Sequence, residues 1–295
     1  MKNRNYPLYE LQEYKTINEM VIDKARTLSN ETAFQYMQKK NIVNITYQQF
    51  LTDILKLGNF LNEEYGVNKH IAILGENSYL WLVVFMASIM SGNVAVLLDK
   101  ELGALEIGNL LAQSHSDVCV YSNSYCDIAE ELVQRISDVD FISMKTVFEK
   151  IEEESGSVEI GIQENAIHNV VRRKQADKDI MARWERQCDK DKLAAIFFTS
   201  GTSGQSKGVM LSQSNMMSDI NMACKNFSVE GNVLAVLPFH HAFGLLSAVL
   251  KIFNYGQTIF INSSLKTIKR DMIYAKPQTM LLVPLFVETF YKSIW

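Results

Sequence analysis

The chain lacks what several functional classes require. Its 295 residues carry 29 lysines and arginines against 33 aspartates and glutamates, a net charge of −4 with the histidines neutral. No basic surplus exists to neutralise a phosphate backbone, so nucleic acid is not expected as a partner. Cysteine is scarce, at 4 residues. Cys119, Cys126, Cys188 and Cys224 show neither Cys-x-x-Cys nor zinc-type spacing. Reduced, mostly buried thiols of a cytoplasmic protein are expected, not a disulfide framework. Long apolar runs are missing too. Tyr79 to Met90 is almost wholly apolar, yet it falls short of the ~20 residues that cross a bilayer, and it reads as a helix buried on all sides. The opening residues Met-Lys-Asn-Arg-Asn-Tyr-Pro are basic, with no apolar signal segment behind them. No internal repeat or low-complexity tract appears.

What is present is a soluble composition, 47% hydrophobic and 21% charged, in a chain long enough for one large or two modest cores. From His70 to Tyr121 short apolar runs alternate with helical patterns. Ile71–Leu74, Val94–Leu98 and Val118–Tyr121 read as buried strands; Tyr79–Met90 and Leu102–Ser114 read as helices between them. Such alternation implies parallel strands joined by crossovers. Upstream, Thr32–Met37 and Ile42–Thr46 read as a hairpin, and Thr46 caps a helix whose stripe is Phe50, Ile54, Leu57 and Leu61. A second alternating block runs from Leu193, with strands at 193–199, 233–237, 257–261 and 279–283 and helices at 214–227, 242–254 and 265–275. A final helix begins at Leu285. Between the blocks the chain is rich in charge, from Glu152-Glu-Glu-Glu to Arg172-Arg-Lys, and reads as a solvated connector. The expected class is α/β, with two mainly parallel sheet regions sandwiched by helices. The expected division is 1–150, a charged connector 151–192, and 193–295.

The chemistry concentrates in Ile196-Phe-Phe-Thr-Ser-Gly-Thr-Ser-Gly-Gln-Ser-Lys-Gly-Val-Met210. A strand ends in Thr199, Ser200, Gly201, Thr202, Ser203 and Gly204, and Lys207 follows. Glycines let backbone N–H groups approach an anion; hydroxyls add donors and the ammonium adds charge. The spacing is not that of a Walker A loop. By composition alone the loop could also be an ordinary turn. Its order, however, resembles the signature loop of the AMP-forming acyl-adenylate synthetases, which include acyl-CoA synthetases, firefly-type luciferases and peptide-synthetase adenylation domains. Ser206 stands where many members have proline, and Gln213 where many have histidine.

Leu237-Pro-Phe-His-His-Ala-Phe-Gly244 lies where a strand hands over to a helix, a position that lines the ligand crevice in open α/β sheets. Two adjacent histidines cannot both point the same way on extended backbone, and a polar turn with one packed imidazole fits equally well. The segment resembles the same family's Leu-Pro-x-x-His-x-x-Gly motif, in which His241 is the matching residue and His240 takes no role. Phe243, Gly244 and the following helix would then line the acyl side. Ile45-Thr-Tyr-Gln-Gln-Phe50, Ala87 to Asp99 and Lys276-Pro-Gln-Thr…Val283-Pro284 also resemble family segments, in family order. The last resembles the long-chain acyl-CoA synthetases most.

The resemblance implies an ATP-dependent ligase that activates a carboxylic acid, a long-chain fatty acid by preference, as an acyl-adenylate and passes it to coenzyme A. Thr199, Ser200, Gly201, Thr202, Ser203, Gly204 and Lys207 would hold the phosphates of Mg-ATP. Lys207 and His241 would act in catalysis, the first on phosphate charge and the second on the carboxylate. The family's Tyr-Gly-x-Thr-Glu motif, ribose aspartate and distal catalytic lysine are not in this sequence. A portion of an enzyme is therefore expected, inactive alone and completed by a C-terminal domain; exposed apolar surface would make homo-oligomers possible. A non-catalytic nucleotide-binding or structural module, an aryl-CoA ligase and a peptide-synthetase adenylation domain stay open as alternatives.

Overall fold

A computed structural model describes residues 11–154, 177–185, 188–199, 206–226 and 229–294. Thr16 caps α1 (Ile17–Thr27), its hydroxyl accepting from Glu19 N–H. β1 (Thr32–Gln38) and β2 (Asn41–Thr46) form the expected hairpin, with Lys39 at the turn in a left-handed conformation, φ 57°. α2 (Tyr47–Glu64) starts at the Thr46 cap and buries its whole stripe of Phe50, Ile54, Leu57 and Leu61. β3 (His70–Leu74), α3 (Tyr79–Met90), β4 (Val94–Leu97), α4 (Ala104–Gln113) and β5 (Val118–Tyr121) follow as alternating units. Then come α5 (Cys126–Val133), β6 (Asp140–Ser143) and α6 (Met144–Glu154).

Within the charged stretch a helix over 177–185, α7, buries Trp184 against Gly58 of α2. β7 (Leu193–Thr199) and β8 (Lys207–Ser212) precede α8 (Gln213–Asn226). β9 (Val233–Ala235) is shorter than its apolar run, because Leu237 leaves the ladder for the histidine segment. The helix expected at 242–254 opens as a π-helical segment, Phe243–Leu250, before α9 (Lys251–Tyr255). β10 (Ile259–Ile261), a 3₁₀ turn at Leu265–Thr267, α10 (Ile268–Ala275), β11 (Thr279–Met280) and α11 (Pro284–Ile294) complete the chain.

The strands form two sheets, ordered β6-β5-β3-β4-β7-β8 and β11-β9-β10-β1-β2. Each is parallel except at one edge, where β8 runs antiparallel to β7 and β2 antiparallel to β1. The sheets cut across the sequence segments. β1 and β2 from the N-terminal segment join β9, β10 and β11; β7 and β8 join β3 to β6.

Side chains alternate across a strand, and that alternation builds the layers. Ile71 and Ile73 of β3 enter the largest core, with α2, α3, the π-helical segment and the inner face of the second sheet. Ala72 and Leu74 enter a separate core against α4 and α5. Leu234 and Phe260 likewise face α10, away from the shared core. α3 therefore lies between two sheets, which explains its apolarity on every side. All its residues are buried except Leu80, which is half-buried. Among the described residues no helix is long and apolar enough to cross a membrane. All four cysteines are free; Cys119 and Cys224 are buried, Cys126 and Cys188 half-buried.

Candidate active site

Parallel strands present their carboxyl ends on one side, where loops and helix starts gather. A cavity of about 440 Å³ lies among strand ends of both sheets, lined among others by Gln38 at the end of β1, Asn77 after β3, Ser122 after β5 and Ser263 after β10.

The hairpin of β7 and β8 places two of the sequence-derived site residues opposite each other. Thr199 pairs with Lys207 at its open end, and the Thr199 hydroxyl donates to the Lys207 carbonyl at 3.4 Å. Both residues are exposed. Among the described residues no carboxylate lies within ion-pair distance of Lys207. Ser200, Gly201, Thr202, Ser203 and Gly204 lie outside the described residues. The same end of the hairpin is tied to α4, since the Gln113 amide donates to the Ser206 carbonyl at 3.3 Å.

The histidine segment follows β9 in the other sheet. Its backbone is held by Asn77, from the β3–α3 loop of the first sheet. The Asn77 amide donates to the Leu237 carbonyl at 2.8 Å, and its oxygen accepts from Phe239 N–H at 3.0 Å. The chain then turns tightly. His241 N–H donates to the Pro238 carbonyl at 3.3 Å, and Leu245 N–H to the His241 carbonyl at 3.0 Å. Gly244 is required here, because a Cβ would collide with the Pro238 carbonyl oxygen. The next turns are π-helical, with Lys251 N–H reaching the Leu246 carbonyl five residues back. Such wide turns often mark functional positions.

The two imidazoles differ in burial, although their ring centroids lie 4.2 Å apart. His241 is exposed, and so is Phe243 at 53%. His240 is buried, 6% exposed, with Nε2 3.3 Å from Oδ1 of Asp99. Burial and the neighbouring His241 ring push its pKa down to about 4, against the pull of Asp99. His240 is thus neutral near pH 7, and a neutral ring facing a carboxylate through Nε2 carries its proton there. Asp99 closes the link between the halves. It follows β4, which pairs with β7 at Leu97↔Phe197. Two residues further on each chain stand Asp99 and Thr199.

Sequence reasoning proposed Thr199, Lys207 and His241 as site residues and assigned no role to Asp99, His240 or Asn77. Asn77 is a polar residue at a strand end, next to Ser78, whose hydroxyl caps α3. Asp99 carried no signal beyond its scaffold motif.

Comparison with known proteins adds to this geometry. The family described as AMP-binding enzyme matches residues 22–293. A long-chain-fatty-acid–[acyl-carrier-protein] ligase of Arabidopsis thaliana, AEE15, chloroplastic, is 27% identical over 267 residues, covering 85% of this chain and 36% of that protein. Long-chain-fatty-acid–CoA ligase 1 of Saccharomyces cerevisiae is 26% identical over 333 residues, covering 99% of this chain and 46% of its own length. This chain thus spans less than half of either relative. Among solved structures, the inhibitor-bound N-terminal domain of FACL13 from Mycobacterium tuberculosis superposes with a TM-score of 0.76 at 20% identity, over 94% of this chain and 65% of that one. That likeness shows the fold.

Proposed function

The chain belongs to the AMP-binding enzyme family, and from that premise we propose that it supplies the phosphate- and carboxylate-holding part of an ATP-dependent ligase. The ligase joins a carboxylic acid, preferentially a long-chain fatty acid, to AMP and then passes the acyl group to coenzyme A. The observation that carries this reading is the meeting of the two halves. Thr199 and Lys207 pair at the end of β7, β7 pairs with β4, and Asp99, two residues after β4, lies 3.3 Å from the imidazole next to His241.

The residues present fit the phosphates of Mg-ATP. Thr199 offers a hydroxyl at a strand end and Lys207 an exposed ammonium with no acid beside it among the described residues. Ser200, Gly201, Thr202, Ser203 and Gly204 carry the donors that the resemblance assigns to the β- and γ-phosphates. In the reaction a carboxylate oxygen bonds to the α-phosphorus and the bond to pyrophosphate breaks. Substrate and triphosphate are both anionic, so the protein's part is positioning and charge neutralisation. Lys207 neutralises charge on the departing pyrophosphate. His241 orients the carboxylate, and Phe243 with the apolar π-helical segment borders the acyl chain. Coenzyme A is the acceptor proposed; the two relatives differ here, one being named for acyl carrier protein and the other for coenzyme A. The adenine, ribose and distal lysine motifs that the resemblance calls for are not in these 295 residues. On its own the chain is therefore proposed to bind phosphate weakly and to complete no turnover.

Titration with pyrophosphate, followed through backbone amides, tests the phosphate half. Shifts at Thr199, Ser206 and Lys207 with a millimolar dissociation constant, a regime of about 4 kcal/mol, are expected. Shifts confined to another surface would remove the loop from the phosphate site.

A further inference from the structure

His240 lies outside the matched motif position, yet it is the better-anchored of the two histidines. We propose that His240 is a positioning residue: held 3.3 Å from Asp99, it sets the ring of His241, whose centroid lies 4.2 Å from its own. The proposal rests on the reading of His241 as the group that meets the acyl carboxylate.

The argument begins with the backbone. Asn77 fixes Leu237 and Phe239 from one side, and the Gly244–Pro238 approach fixes the turn from the other. Between these anchors the chain turns, leaving His240 buried and His241 exposed. The buried ring needs a partner, because a buried polar ring without one is costly. Asp99 is that partner for His240 at 3.3 Å. Asp99 is itself held, since its Oδ1 accepts Glu101 N–H at 2.9 Å. The imidazole centroids of His240 and His241 are 4.2 Å apart at an interplanar angle of 56°, so the buried ring serves as a wall for the exposed one.

The charged groups acting on His240 are Asp99, Lys100 and Glu101 after β4 and His241 on its own segment. Lys100 and Glu101 are paired with each other at 2.8 Å, which leaves Asp99 as the direct partner. A neutral His240 faces Asp99 without adding a charge of its own. An apolar side chain could fill the same space, but it would give Asp99 no polar partner. The contact thus joins the histidine segment to the end of the strand that flanks β7.

The test uses the 295-residue chain, decanoate as the carboxylate probe, and nitrogen-15 imidazole spectra. His240 should show an Nε2–H tautomer at neutral pH, and His241 a restricted ring. His240→Gln, whose amide can meet Asp99 in place of Nε2, should keep decanoate affinity within about twofold, whereas His240→Ala, losing both the contact with Asp99 and the wall beside His241, should weaken it about tenfold. His240→Ala combined with His241→Ala should bind no more weakly than His241→Ala alone, because the first residue acts through the second. Independent additive losses would overturn the proposal. So would decanoate affinity that stays unchanged in His240→Ala while only the melting temperature falls. Should His241→Ala itself leave decanoate binding unchanged, the carboxylate reading of His241 fails instead. The spectra then decide alone: equal ring order of His241 in wild type, His240→Gln and His240→Ala overturns the positioning role, and loss of order only in His240→Ala sustains it.

Discussion

The candidate site has two sides built on opposite plans. The hairpin end at Thr199 and Lys207 is exposed, and the ties described there are the Thr199 hydroxyl bond at 3.4 Å and the Gln113 bond to the Ser206 carbonyl at 3.3 Å. The histidine segment from Leu237 to Gly244 is clamped by Asn77, anchored through His240 to Asp99 and closed by a contact that admits only glycine. The difference follows from what each side would hold. A phosphate brings several acceptors and strong charge, so exposed donors can gather on it when it arrives. A carboxylate must be aimed at one phosphorus atom, and aim requires a group whose position is set beforehand.

The contrast makes stability the sharpest probe, because mutations on the clamped side should cost folding energy and those on the open side should not. Gly244→Ala should be the most damaging. Its methyl group would enter the Pro238 carbonyl, and overpacking against backbone costs about 3 kcal/mol, to be read as a lowered urea midpoint. Asn77→Ala should follow, at about 2 kcal/mol, because it strands the Leu237 carbonyl and the Phe239 N–H in buried surroundings. A fully stable Asn77→Ala would mean that the segment is held by its own turn.

Acid should act on the same side. The folded-state pKa of His240, about 4, lies below the ordinary 6.5. Between those values the unfolded chain takes up a proton that the folded chain refuses. Stability should therefore be complete above pH 6.5 and fall as the pH drops toward 4. His240→Gln should flatten that part of the profile. An unaltered slope would place the titration elsewhere. Lys207→Ala should be the mildest, within about 0.5 kcal/mol of wild type, as exposed substitutions usually are. A large loss of stability there would show that Lys207 serves the fold and would erase the contrast between the two sides.

Much of the fold was legible because its signals are local. The hairpin of β1 and β2 could be read from β-rich runs around Lys39-Lys40-Asn41, and the face of α2 from residues at helical spacing. The burial of α3 followed from its uniform apolarity, since a helix between two sheets has no polar side to show. The loop and the Leu-Pro-x-x-His-x-x-Gly segment were legible as motifs, so Thr199, Lys207 and His241 could be named. The exchange of strands between sheets was not legible: pairing depends on which edge is free once other strands have docked, and no window of sequence holds that information. The π-helical start at Phe243 was hidden as well, because it depends on the approach of Gly244 to Pro238.

Sequence alone thus determined the alternating α/β pattern, the hydrophobic inventory of each layer and the family to which the motifs point. These rest on periodicity and local chemistry, which adjacent residues carry by themselves. Tertiary structure decided which histidine is buried, that Asn77 clamps the Leu237–Phe239 backbone, and that Asp99 meets His240. Each of these is a contact between residues far apart in the chain; Asn77 and Leu237, for example, are separated by 160 positions. Contacts of that kind exist only after the two sheets have packed on the helices between them.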